Sequence, residues 1–146
     1  AREPPVLIRW VAGERLLLMR YEGEVTLDSL KRHARAAIEA SLDPAARLLV
    51  DHRTSRLAVT PQEMTDFVDW LEQDLRFGQT HPRSVGSIVT DDPHSTAMVM
   101  LFKRFVERQV PFEVFSTLDA ACRHLGISTT DVEPHADIVP GQHPRG

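Results

Sequence analysis

The feature that most constrains this chain is a regular alternation between short apolar runs and longer segments with a one-sided apolar stripe. Val6 to Ala12 (VLIRWVA) and Arg15 to Tyr21 (RLLLMRY) are rich in strand formers, and only Gly13-Glu14 separates them, so they predict a β-hairpin. Beyond it, Leu27, Leu30, Ala34, Ala37 and Ile38 recur at helical spacing after Thr26, a cap residue, and Asp43-Pro44 ends the pattern. Arg47 to Asp51 (RLLVD) has the length of a buried strand, and the polar stretch His52 to Arg56 that follows reads as a loop.

Thr60-Pro61-Gln62-Glu63 is the clearest helix start. A threonine can accept from first-turn amides, proline suits the first helical position, and Glu63 can bond back to the cap. Met64, Phe67, Val68, Leu71 and Leu75 then form one stripe, and Ser84 to Thr90 (SVGSIVT) reads as the next strand. Asp92-Pro93 repeats the cap-plus-proline start for a helix with Met98, Leu101, Phe102 and Phe105 on its core face. Pro111 to Phe115 (PFEVF) is the last strand. Ser116-x-x-Asp119 predicts a capping box for a final helix that buries Leu118, Ala121, Cys122 and Leu125 and stops near Gly126. The order is β-β-α-β-α-β-α-β-α. Single helical crossovers favour a mixed, mainly parallel five-stranded sheet with four helices, an α/β domain over residues 1–127 with a polar tail over 128–146.

Composition narrows the function classes. A chain of 146 residues is the length of one domain, and a net charge of −4 gives no general attraction to phosphate backbones, so nucleic acid is not an expected partner. Cys122 is the only cysteine, which excludes an intramolecular disulfide and suits a reducing, cytoplasmic setting. No run approaches the roughly 20 apolar residues of a membrane span, and the start at Ala1 lacks a signal-peptide core, so no membrane partner is expected. A P-loop, a Gly-x-Ser-x-Gly elbow and the lysine a phosphorylatable receiver needs after its last strand are all missing. The seven histidines match no structural zinc spacing, so neither metal nor cofactor is expected; His135, Asp137 and His143 read as solvated tail residues.

The element order, with LLVDHR ahead of TPQEM, SVGSIVTDDP ahead of a long apolar helix, and VPFEVFSTLDAACRHLGI at the end, resembles the SpoIIAA-like family over Val6 to Ile127. That family is related to the STAS domain of anti-sigma-factor antagonists and sulfate-transporter tails. The resemblance implies a regulatory or protein-interaction module without catalytic residues. It also implies a phosphorylation switch, a serine in an Asp-Ser-x-Gly segment after the third strand. Thr60 falls at that position, preceded by Val59 and followed by Pro61-Gln62, so the motif's aspartate and glycine are absent. Its capping role already accounts for it.

In parallel α/β sheets, sites gather beyond the carboxyl ends of the strands. That edge would collect Asp51, His52, Arg53, Thr60, Asp91 and His94, the residues expected to bind a ligand or partner. Asp92 reads as a cap, Asp91 as a turn former and Arg53 as a surface ion-pair residue. Three functions follow as expectations. The first is an interaction module whose contact edge, near His52 to Thr60 and His94, meets a protein partner or a second copy of the chain. The second is a carrier or sensor of a small apolar or anionic ligand, held near the third helix. The third is an enzyme, which would need Asp51, His52 and Asp91 to converge. Met100, projecting among Lys103, Arg104 and Glu107, reads equally as a lone exposed side chain or as a contact or pocket wall.

Overall fold

The computed structural model describes residues 6–11, 15–40, 46–76, 84–88, 92–129 and 132. Its elements are β1 (Val6–Val11), β2 (Leu16–Val25), α1 (Leu27–Ala40), β3 (Arg47–Leu57), α2 (Pro61–Asp74), β4 (Ser84–Ile88), α3 (Pro93–Val106), β5 (Phe112–Phe115) and α4 (Leu118–Leu125). The strands form one sheet in the order β1-β2-β3-β4-β5. The four strands β2 to β5 are mutually parallel, and β1 pairs antiparallel with β2 at one edge. The expected turn at Gly13-Glu14 lies outside the described residues.

Helix starts follow local chemistry. Thr60 caps α2 with a complete capping box: its Oγ1 accepts from the Glu63 amide at 3.0 Å, and the Glu63 carboxylate accepts from the Thr60 amide at 3.0 Å. Asp92 caps α3, and Thr26 Oγ1 accepts from the Ser29 amide at the start of α1. At α4 the cap is one residue later than expected. Thr117, in extended backbone, accepts from the Ala120 amide, and Ser116 does not cap. Gly126 closes α4 at φ 72°, a left-handed conformation that a Cβ would strain.

Two strands outrun their apolar cores. The stretch His52 to Arg56, expected as a loop, is strand, and β2 continues past Tyr21 to Val25. The two extensions pair with each other from Glu22↔Thr54 to Val25↔Leu57, so backbone hydrogen bonds are satisfied whatever the side chains are. The register shifts between Arg20 and Glu22, with one extra residue in β3. This bulge changes the parity of β3. Leu48, Val50 and His52 share a face before it, and Leu57 returns to that face after it.

The sheet therefore has two unlike faces. On the first, Leu17, Met19, Tyr21 and Val25 join Leu48, Val50 and Leu57 beneath α1, α2 and α3. On the second, Leu16, Leu18 and Leu49 pack against Leu118, Ala121, Cys122 and Leu125 of α4. Gly86 lets α4 approach closely, since a Cβ there would lie 3.4 Å from Leu125 Cδ1. Val132, within the expected tail, is fully buried in this second cluster, which carries the packed domain beyond Ile127. Phe105, expected in the core, is 38% exposed: the buried stripe of α3 is centred on Ser95, Val99 and Val106, and Phe105 sits at its margin.

Candidate ligand cavity

Strand alternation separates the two residues that sequence placed side by side. His52 follows Val50 onto the three-helix face, and Asp51 follows Leu49 onto the other. Asp51 is buried, and its carboxylate is committed to its own strand. Oδ1 accepts from the Arg53 amide at 2.9 Å and from Nε at 3.0 Å, while Oδ2 accepts from Nη2 at 2.8 Å. This forked pair to a half-exposed guanidinium is a structural clip on β3. Asp91 lies outside the described residues, and the geometry does not bring Asp51 and His52 to a common point.

Thr60 and His94 also serve the frame. The Thr60 hydroxyl is engaged in its capping box. His94 Nε2 donates to the Val59 carbonyl at 2.7 Å, tying the first turn of α3 to the β3–α2 connection. Beside it, Ser95 Oγ donates to Asp92 Oδ2 at 2.6 Å and accepts from the Leu57 amide at 2.9 Å, so the α3 cap is sewn to the end of β3. Those Ser95 hydrogen bonds hold the Asp92 carboxyl below its ordinary range.

His52 has a different setting. It is 6% exposed and stacks on Tyr21 with ring centroids 5.1 Å apart and planes 9° from parallel. The Tyr21 ring also meets His33 of α1 at 5.5 Å. Ser55 Oγ donates to the His52 carbonyl at 3.2 Å, which leaves its oxygen to accept from Nδ1–H at 3.4 Å. That pairing assigns the proton to Nδ1 and the lone pair to Nε2. Burial lowers the His52 pKa to about 4, against a smaller raising effect of Asp51, and burial pushes the Tyr21 phenol up. Both side chains are neutral at pH 7.

Tyr21 and His52 form the polar corner of a cavity of about 120 Å³ between the first sheet face and the helices, partly open to solvent. The sheet contributes Met19, Leu48, Val50, Leu57, Val85 and Phe112; Leu30, Ala34, Ala37 and Ile38 come from α1, Met64, Phe67 and Leu71 from α2, and Val99 and Phe102 from α3. The wall taken from the third helix is thus Val99 and Phe102. Met100 points away and is 43% exposed. Among the described residues, no Asp, Glu, Lys or Arg lines the cavity. Tyr21 is not among the site residues that the sequence points to, although its alternation with Leu17 and Met19 marks it as inward-facing; His52 is, and the structure sets it beside Tyr21 on the three-helix face, apart from Asp51. Trp70, outside the cavity, has Lys31 and Arg35 over its ring at 5.8 and 5.5 Å. Among the described residues no group of three or more His, Cys, Asp or Glu is placed to hold a metal ion, and no helix is long and apolar enough to cross a membrane.

A four-stranded parallel core with four helices, led by an antiparallel strand, is a SpoIIAA-like α/β fold. The chain is similar in structure to an uncharacterized protein of the DUF3478 family with a SpoIIAA-like fold from Shewanella loihica PV-4. The TM-score is 0.55 at 15% sequence identity, over 86% of this chain and 95% of that one. No family model and no curated protein matches the sequence.

Proposed function

We propose that the protein is a non-enzymatic module of SpoIIAA-like type that binds a small apolar molecule between its sheet and its three-helix layer, as a carrier or sensor. The observation that supports this reading is the cavity itself. Native cores are packed to crystal-like density, and voids larger than a water molecule are few. A void of about 120 Å³ walled by Leu, Val, Met and Phe approaches the size that admits one benzene-sized molecule in other apolar cores. Left empty, it costs the domain stability, and an occupant would recover the missing contacts. The exposed side chains of Thr60 and His94, at the starts of the helices α2 and α3 that roof this space, would supply the surface on which occupancy is read by a partner protein.

Native mass spectrometry of freshly purified protein tests the reading. The wild type is expected to carry a small non-covalent adduct, and an Ala37→Leu variant, which fills the space from α1, is expected to lack it. Identical adduct-free spectra for both proteins, with no rise in melting temperature on adding toluene, would remove the proposal.

A further inference from the structure

We infer that the cavity selects an uncharged ring-sized molecule bearing one hydroxyl or amide group, which donates to His52 Nε2 and accepts from the Tyr21 hydroxyl. This rests on the ligand-binding reading above and gives it a chemical class. Three observations carry it. The first is the lack of charge: among the described residues the lining holds no acidic or basic side chain, so a carboxylate or ammonium entering it would lose its hydration without gaining a counter-ion from them. The second is the pair of polar atoms. Tyr21 O–H offers a donor, and Nε2 of His52, with the Nδ1 proton held by Ser55, offers an acceptor; among the described residues neither atom is hydrogen-bonded. A hydroxyl or primary amide satisfies both, whereas a carboxylate can only accept and a hydrocarbon does neither. The third is the wall. Phe67, Phe102 and Phe112 follow one another at centroid separations of 5.7 and 5.5 Å, and Tyr21 stacked on His52 supplies a further flat surface, so planar rings meet ring faces and edges in the geometries they prefer.

The neutrality of His52 at physiological pH completes the picture, because an imidazolium at that corner would attract anions. The groups that face this imidazole from neighbouring elements are Tyr21 of β2, which also meets His33 of α1, and the nearest charge is Asp51 on its own strand.

The test uses three probes of similar size: benzamide, benzoate and toluene, titrated at pH 7.5 into the full chain and followed by protein-observed NMR. Benzamide and benzoate share a shape and differ in charge; toluene lacks the polar group. Benzamide is expected to bind at least thirtyfold more tightly than benzoate, on the order of the penalty for burying an unpaired charge. Tyr21→Phe should weaken benzamide about fivefold and leave toluene unchanged, as loss of one neutral hydrogen bond implies. Benzoate binding in the cavity as tightly as benzamide would overturn the inference, and this wild-type comparison needs no variant to fold. Toluene binding without benzamide would also overturn it while leaving the ligand-binding reading intact. If none of the three binds, that reading fails, and the inference with it.

Discussion

The two faces of the sheet are built to different standards. Among the described residues the second face is covered by one helix, the eight-residue α4, with Ile127 and Val132 beyond it, and Leu16, Leu18, Leu49, Cys122 and Val132 are each at most 1% exposed, while Gly86 removes a side chain so that Leu125 can close in. Its polar element, Asp51, is clamped by Arg53. The first face is covered by three helices and still encloses a void, with Tyr21, His33 and His52 buried at one end of its core. More cover does not mean tighter packing. Helices held to each other and to the loop ends, as α3 is by Asp92, Ser95 and His94, can bridge a space that a single helix would collapse into. The tight face supplies stability, and in the function proposed above the loose face would supply a place to bind.

Truncations matched across the two faces should break or confirm that contrast. Leu49→Ala, in the tight face, is expected to cost about 4 kcal/mol, and Leu71→Ala, on the cavity wall, about 2 kcal/mol, because a side chain with empty space on one side has fewer contacts to lose. Urea denaturation of each variant checks this; equal costs would mean that the two faces are equally packed.

The next effect belongs to the loose face and depends on pH. The His52 pKa falls from 6.5 in the unfolded chain to about 4 in the folded one, so between those values the unfolded state binds more protons. Stability from this group is fully present above about pH 6.5, is lost as the pH falls toward 4, and changes no further below that. The total is about 3 kcal/mol by the linkage of pKa to free energy. Denaturation curves at pH 7 and pH 4 should show the loss in wild type, and a His52→Phe variant should show a smaller one.

Thr60→Ala should have the smallest effect, about 1 kcal/mol from the lost cap. It should leave the affinity of the cavity for toluene unchanged. A changed affinity would show that the α2 cap and the cavity are coupled, and would sharpen the separation between frame and site.

What could be read from sequence divides along the same line. The caps at Thr60 and Asp92 were legible because a cap is a matter of three or four consecutive residues. The order of elements was legible because each carries its own period. The strand at His52 to Arg56 was not, since its polar side chains look like a loop and its strand character comes from a partner, the Glu22 to Val25 stretch, remote in sequence. The cavity was still less legible. Its lining comes from β2 to β5 and from α1, α2 and α3 together, and no single segment encodes that. Asp51 and His52 looked like one site because they are neighbours in the chain; in a strand, neighbours face opposite ways.

If the proposed function is right, the three-helix face holds a void that binds apolar molecules and the α4 face does not. Crystals of the protein under xenon pressure test this, since xenon enters apolar cavities. A xenon site bounded by Val50, Ala37, Phe67 and Val99 is expected, with none between the sheet and α4, and with loss of the site in Ala37→Leu. Xenon density beneath α4, or none beneath α1 and α2, would contradict it.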